Sequence, residues 1–313
     1  MKLLLLLLPL SFFFLSTARA QGDFTIMSWN VENAFDIHHD AGKNDEEFLP
    51  EGNHRWSWQR FFRKLNDIAK TIVAIDSVKP IDIIGLCEVE NDTVLTYLTQ
   101  RTPLHKLGYR YIMTHSPDER GIDVALLYAH TRFRLLSHES IRVPTNTPTR
   151  DVLHATGIMP TGDTLDIYLL HLPSKLGGAP AAQRRKAVTG RMLQNIDSVT
   201  QARPHANIIV MGDFNDELTG RRMKPFTSRG FIDVMDGLKP GTYKFQGQWS
   251  TLDHILIKST RFQTESHIAT LPFLLESDPT NGGQKPRRTF LGTRYNAGIS
   301  DHLPVWMKIK RRE

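Results

Sequence analysis

Short apolar runs recur along the chain, and most of them stop at a polar side chain. Residues 24–30, FTIMSWN, make the first strand candidate. Residues 81–90, IDIIGLCEVE, are apolar on both alternating faces, which predicts a strand buried on both sides. Residues 109–115 and 122–129 predict two strands joined by the polar turn 116–121. Further strands are expected at 132–142, 152–160, 164–171, 207–212, 252–258 and 303–309. Helical spacing replaces alternation over 56–75, where Phe61, Leu65, Ile68 and Ile72 share one face. Asn91-Asp92-Thr93 predicts the cap of a helix that runs to about Gln100. A third helix fits 181–200, starting after Pro180, with Ala187, Arg191, Gln194 and Ser198 on a more polar stripe. The stretch 276–300 shows neither period and predicts a long loop, a feature that is usually functional or mobile. No linker, internal repeat or low-complexity run divides the chain. Many strands with a few helices predict an α/β sandwich in one domain.

The first twenty residues break this pattern. They read MKLLLLLLPLSFFFLSTARA: a basic Lys2, an apolar run over 3–15 interrupted by Pro9 and Ser11, and a small-residue cleavage site at Ala18-Arg19-Ala20. That order predicts a signal peptide. The run is shorter than the roughly 18–20 apolar residues a spanning helix needs. The expectation is an exported protein, periplasmic or secreted, that begins near Gln21 and has no stable membrane anchor. Residues 21–313 then form the single domain, expected to be monomeric. The charge changes with the leader. The chain of 313 residues has 39 Lys+Arg against 33 Asp+Glu, a net +6, and without Lys2 and Arg19 the excess is +4. So small an excess gives no clear stripe for a polyanion. Cys87 is the one cysteine, which excludes a disulfide framework and a thiolate zinc site. Within its apolar run it reads as a small buried hydrophobe. A composition of 40% hydrophobic and 23% charged residues excludes disordered and fibrous classes.

Polar residues collect where the apolar runs stop. Asn30 and Glu32 follow the first strand and share its parity. Glu88 ends a run too apolar to hold an unpaired carboxylate cheaply, and Glu90 shares its parity. His171 follows IYLL, Asp213 and Asn215 follow IIVMG, Asp253 and His254 open DHILI, and Asp301 and His302 sit in SDHLP. Any one of these is an ordinary turn former, cap or structural histidine. Together they suit a hard cation, Mg²⁺ first and Mn²⁺ or Ca²⁺ as alternatives, because carboxylate and amide oxygens are its ligands. A hard cation with two separated histidines suits phosphodiester hydrolysis: a His–Asp pair activates water, and an acid protonates the leaving oxygen. No G-x-S-x-G elbow, HExxH helix, P-loop or G-x-G-x-x-G supports a rival chemistry.

The ordered set WNVEN (29–33), GLCEVEN (85–91), RGIDVALLY (120–128), LLHLPSK (169–175), GDFND (212–216), LDHILI (252–257) and SDHLPVW (300–306) resembles the endonuclease/exonuclease/phosphatase superfamily. That group includes deoxyribonuclease I and bacterial sphingomyelinases, and the likeness is to its exported bacterial members. The resemblance spans about residues 23–310. It implies a deoxyribonuclease I-like fold: a four-layer α/β sandwich of two packed mixed β-sheets flanked by helices, with the site where strand ends of both sheets converge. It also implies residue roles. Glu88 would be the principal metal ligand, with Asn30, Glu32 and Asp301 near the metal. His302 would be the general base, oriented by Asp253. Asp213 and Asn215 would position the nucleophile and hold the phosphate, and His171 would bind phosphate or act as acid. Asp123 would neighbour the site, either paired with His171 or in a structural ion pair. Lys175, Arg184 and Arg288 are expected to contact phosphate. One position departs from the family: Cys87 stands where a Gln usually precedes the metal-binding Glu.

These roles imply a divalent-metal-dependent phosphodiesterase, most readily an endonuclease acting on nucleic acid, DNA first. A phosphatase or a sphingomyelinase-like lipid phosphodiesterase is the alternative. Lipid-active relatives expose a hydrophobic hairpin, and no long aromatic hairpin is apparent, with Trp249 and Phe273 isolated. A binding module without activity would have lost ligands, whereas every core position carries a competent residue.

Overall fold

The structure, a computed structural model, describes residues 23–145 and 147–312. The expected signal peptide at 1–20 lies outside the described residues. Strand β1 (Phe24–Ala34) leads to helix α1 (Trp58–Ile75), strand β2 (Ile83–Val89), helix α2 (Asp92–Arg101) and strands β3 (Tyr109–Met113), β4 (Asp123–Ala129), β5 (Arg134–Ile141), β6 (Val152–Ile158) and β7 (Thr164–His171). Helix α3 (Gly178–Ala202) follows, then β8 (Asn207–Asp213), the short helix α4 (Lys224–Thr227) and the short strands β9 (Ile232–Asp233), β10 (Tyr243–Phe245) and β11 (Gln248–Ser250). The chain ends with β12 (Asp253–Lys258), β13 (Phe262–Ile268), two pairs of short strands and finally β18 (Val305–Arg311). Those short strands are β14 (Leu275–Ser277), β15 (Gln284–Pro286), β16 (Phe290–Leu291) and β17 (Arg294–Tyr295). Among the described residues, no helix is long and apolar enough to cross a membrane.

Two six-stranded mixed sheets carry the fold, one ordered β13-β18-β1-β2-β4-β3 and the other β5-β6-β7-β8-β12-β9. Alternation decides which side chains meet. Ile26, Ile83 and Leu126 of the first sheet pack against Ile167, Ile209 and Ile255 of the second in one buried layer. The opposite parity of the first sheet, Met27, Ile84 and Leu127, packs under α1 through Phe61, Leu65 and Ile68. The opposite parity of the second sheet, Tyr168 and Val210, packs under α3 through Val188, Met192 and Ile196. The result is the expected four-layer sandwich, because both faces of each central strand are apolar and each must be covered. Helix starts follow from their caps: Ser57 accepts from Arg60 N, and Asn91 accepts from Val94 N at 3.2 Å.

Three expectations are corrected. The stretch 276–300 is not one irregular loop: it contains the hairpins β14–β15 and β16–β17. Strand β13 was not among the expected strands, because FQTESHI at a sheet edge is largely solvent-facing and lacks an apolar period. Trp249, read as isolated, lies in the β10–β11 hairpin with Tyr243 and Phe245.

Gly212 shows how closely the central strands approach. Its φ is +135°, and a Cβ there would sit 1.9 Å from the Leu170 carbonyl oxygen of β7. Gly212→Ala is expected to destabilise the fold by about 3 kcal/mol or more, since both the clash and the backbone oppose it. Urea denaturation checks this; a midpoint equal to wild type would contradict the register of β7 on β8.

Candidate active site

The inward parity of the buried layer continues to one end of the sandwich, where it turns polar. On β7 the inward residues Leu165, Ile167 and Leu169 are followed by His171; on β8 Ile209 and Met211 are followed by Asp213. On β12, Asp253 precedes the inward Ile255. Pairing puts His171 opposite Asp213 and Asp213 opposite Asp253, so the three stand in one row across the second sheet. Asn30 continues the inward parity of β1 in the first sheet.

Glu88 does not follow from parity. Cys87 faces inward, so the next residue would point toward the helices on an unbroken strand. The pairing of β2 instead shifts register between Cys87 and Val89, and Glu88 adopts φ +66°. The adjacent β1 shifts between Asn30 and Ala34, with Glu32 and Asn33 at φ +49° and +55°. Asn215 is also at positive φ, +50°. Bulges re-aim side chains, and backbone held in this region at a cost of order 1–3 kcal/mol per residue concentrates at functional sites. The bulge delivers the Glu88 carboxylate to the row of β7 and β8, with His171 Nε2 3.9 Å from Glu88 Oε1 and 3.5 Å from Asp213 Oδ2. It also breaks the parity expected for Glu90, which turns away and accepts from Asp36 N at 2.7 Å.

Hydrogen bonds fix each group. Asn30 Nδ2 donates to Glu88 Oε1 at 3.3 Å and to Asp213 Oδ2 at 3.0 Å, while its Oδ1 accepts from Glu32 N. The amide thus turns its nitrogen, not its oxygen, toward the carboxylates, and bridges them where a metal ligand was expected. Asn33 N donates to Glu88 Oε2 at 2.8 Å. Asn215 donates to Asp213 through N and Nδ2, and its Nδ2 also reaches the Leu172 carbonyl at 3.0 Å. His302 Nδ1 meets Asp253 Oδ2 at 2.7 Å, and its Nε2 lies 3.9 Å from Asp213 Oδ2. Its segment is stapled to β1: Ser300 Oγ accepts from His302 N and donates to the Asn30 carbonyl at 2.6 Å. Trp29 Nε1 donates to the His302 carbonyl at 2.9 Å.

Burial and neighbouring charge divide these groups by protonation. Burial would raise the Glu88 pKa, but the Arg120 guanidinium, the Asn33 N–H and Asn30 outweigh it and hold the carboxyl below its usual value. Burial, with Asp253 adding, pushes Asp213 up to about 7 against the opposing pull of His302. Burial would lower His302, yet Asp253 and Asp213 hold it well above the ordinary histidine value. His171 goes the other way: burial, then Arg150 and Arg120, hold it well below, so it is neutral. The site therefore has an ionised Glu88, crowded aspartates, no thiol ligand aimed at it, and a deficit of positive charge. That donor set fits a hard divalent cation held by Glu88. Ligand atoms of Asp213, Asp253 and His302 also lie within 4.8 Å of one another, but His302 Nδ1 is taken by Asp253, so the trio reads as an oriented base.

The other residues singled out from the sequence are placed differently. Glu32 accepts from Arg288 Nε at 3.2 Å and Thr289 N at 2.7 Å, and Asp301 accepts from Arg288 Nη2 at 2.9 Å. Arg288 so joins two of the expected metal ligands in one ion-pair group. Lys175 pairs with Asp216 at 3.0 Å, and Arg184 forms no hydrogen bond or ion pair among the described residues. Neither touches the reacting groups. Asp123 is not paired with His171; it accepts from the Thr114 and Ser116 hydroxyls, each at 2.5 Å. Arg120, Arg150, Asn33 and Lys64 were not singled out. Arg120 lies within the RGIDVALLY motif, donates to Asn33 Oδ1 and stands 3.9 Å from Glu88 Oε2. Arg150 donates to the His171 and Leu172 carbonyls and pairs with Asp118 at 3.0 Å.

Lys64 had a legible signal, a lysine on the apolar stripe of α1. Its buried ammonium donates to the Glu32 carbonyl, to Thr289 Oγ1 at 2.7 Å and to the Ile299 carbonyl at 3.1 Å. It pins the bulge of β1 to the segment that carries His302. Lys64→Met is expected to cost about 2–4 kcal/mol, because three acceptors lose a buried charged donor. A urea midpoint unchanged from wild type would contradict that role.

His254 is structural. Its Nδ1 meets Asp233 Oδ2 at 2.7 Å and its Nε2 meets the Asp216 carbonyl at 3.1 Å. Burial would lower its pKa, but Asp233 raises it above 6.5. A raised value in the folded state means the stabilisation is complete below pH 6.5 and is lost as pH rises through the folded value. The stability gap between wild type and His254→Gln is expected to be about 1–3 kcal/mol at mildly acidic pH and smaller in alkali. A gap that widens with pH would reverse the assignment.

A profile of the endonuclease/exonuclease/phosphatase family matches residues 25–311. No curated protein sequence matches the chain. Among solved structures, the human Nocturnin catalytic domain with bound sulfate superposes with a TM-score of 0.59 at 22% identity, covering 93% of this chain and 95% of that one. A Bacteroides thetaiotaomicron mannosyl-6-phosphatase gives a TM-score of 0.61 at 18% identity, with 92% and 99% covered. Truncated TDP2 of Caenorhabditis elegans gives 0.60 at 16% identity, with 92% and 97% covered.

Proposed function

The chain belongs to the endonuclease/exonuclease/phosphatase family, and from that premise we propose that it is a divalent-metal-dependent phosphoric ester hydrolase whose substrate presents phosphate on a small or terminal group. The observation that carries the chemistry is the His302–Asp253 pair set beside Asp213 and the ionised Glu88. The observation that carries the substrate class is the sparse positive charge at the mouth. The partly exposed cations that touch Glu88, Glu32 or Asp301 are Arg120 and Arg288, with side chains 46% and 42% exposed. Two guanidinium groups suffice to hold one phosphate, whereas a nucleic-acid strand needs cations that follow several. The mannosyl-6-phosphatase among the structural neighbours is in keeping with this reading. A nuclease is the second reading, in keeping with the endonucleases and exonucleases of the family.

In the proposed reaction the neutral form of His302, the minor one near neutral pH given its raised pKa, accepts a proton at Nε2 from the attacking water; Asp253 orients the ring and stabilises the imidazolium, and the P–O bond to the alcohol breaks as solvent protonates the leaving oxygen. Glu88 would hold the cation, which when bound neutralises charge on the phosphate oxygens. Asp213, fixed by Asn30 and Asn215, positions the water between His302 and the substrate. Neutral His171 donates to a phosphate oxygen, and the partly exposed guanidinium groups of Arg120, beside Glu88, and Arg288, beside Glu32 and Asp301, bind the phosphate. The leader at 1–20 supports a working place outside the cytoplasm, tested by finding the mature N-terminus at Gln21 in exported protein.

A substrate panel in Mg²⁺ and in chelator tests the assignment: plasmid DNA, RNA, sphingomyelin, a sugar phosphate and a generic phosphodiester. The expected result is phosphate release from the sugar phosphate in Mg²⁺ alone. Plasmid nicking without phosphate release would replace the leading reading with the second.

A further inference from the structure

A cavity of about 530 Å³ opens between α3 and the segment 214–226, on the face of the second sheet away from the first. Its size is that of a small-molecule site. The floor is apolar: Leu172, Leu193, Phe214 and Phe226 lie buried at its base, and Leu218 and Pro225 offer the partly exposed apolar surface above them. The rim is cationic: of the charged residues that line it, Arg185, Lys186, Arg221 and Arg222 are basic and Asp216 alone is acidic. Asp216 is already neutralised, by Lys175 at 3.0 Å and Arg222 at 2.8 Å. Lys186 and Arg221 are exposed and form no ion pair among the described residues.

One residue of the wall is unusual for its place. Gly190 lies inside the 25-residue helix α3, where glycine is about 1 kcal/mol worse than alanine. It lines the cavity, and a Cβ built on it meets nothing within 4 Å. No packing neighbour requires glycine there; its effect is to leave the cavity open.

We propose that this cavity binds an amphipathic anion, an apolar body with a single acidic head, the body lying on Leu218 and Pro225 above the buried floor and the head held by Lys186 and Arg221. The apolar floor selects the body by burial of its surface, and the uncompensated rim cations select the sign of the head. The site is separate from the hydrolytic one: Leu172 and Phe214 directly follow His171 and precede Asn215, but they face the opposite side of the sheet.

The probe is decanoate, titrated into the protein by calorimetry, with decyltrimethylammonium as a cation of matching chain. Decanoate is expected to bind saturably with one site per chain, and the cation at least tenfold more weakly. Gly190→Phe, which grows a side chain into the open volume, should abolish binding. The double variant Lys186→Glu, Arg221→Glu alters only exposed side chains and should weaken decanoate at least tenfold. Absence of saturable binding, equal affinity for the two probes, or full affinity in both variants would overturn the proposal.

Discussion

Glu88→Gln is expected to lower metal-dependent turnover by about 10³-fold or more while leaving the melting temperature within a few degrees of wild type. The size follows from what the residue is. Glu88 is the one expected metal ligand whose carboxylate is not consumed by a guanidinium contact at hydrogen-bond distance, and Arg120 stands back at 3.9 Å. Its ionised form is held by Arg120, Asn33 N and Asn30 against the effect of burial. The amide of Gln keeps the shape and one acceptor oxygen but loses the charge that a hard cation requires. The fold tolerates the change because it removes a buried charge and adds no volume. Calorimetry with Mg²⁺ should show binding to wild type and none to the variant. Turnover retained with intact Mg²⁺ binding would remove Glu88 as ligand.

His302→Ala should cut kcat by about 10²–10⁴, the range for losing a positioned general base. Asp253→Asn should lower kcat in the same direction, since Asp253 Oδ2 lies 2.7 Å from His302 Nδ1 and sets its orientation. The two losses should not add in the double variant, because the aspartate acts through the histidine. A loss confined to KM in His302→Ala, or full additivity in the double variant, would separate the pair. The oriented geometry also predicts that Ser300→Ala has a smaller effect in the same direction, as one hydrogen bond to the His302 backbone is lost.

How legible the site was depends on whether strand parity survives to the strand end. His171, Asp213 and Asp253 continue unbroken alternation, so a polar residue two places beyond an inward apolar one was enough to find them. The bulges of β1 and β2 obey no such rule. Glu88 reaches the site only through a left-handed backbone, and the same turn sends Glu90 to Asp36. Glu32, past the bulge of β1, turns to Arg288 and Thr289. Charged partners were the least legible. Lys175 was singled out for its place just after His171 and Arg288 for its place in the long stretch 276–300, yet Lys175 answers Asp216 and Arg288 bridges Glu32 to Asp301. Such choices depend on contacts between residues as much as 256 positions apart, which no local pattern encodes. The layers of the sandwich were legible because long apolar alternation determines them, whereas β13 and the hairpins of 276–300 have little apolar surface to announce them.

Hydrolysis of a phosphoric ester at this site needs both an ionised carboxylate that holds a cation and an oriented histidine next to it. The most direct measurement is the initial rate of phosphate release from a sugar phosphate as Mg²⁺ is titrated into chelator-treated protein, for wild type and Glu88→Gln side by side. No rate is expected without the cation, with a saturable rise in wild type and a flat line in the variant. A rate that persists in excess chelator, or rises equally in both proteins, would contradict this.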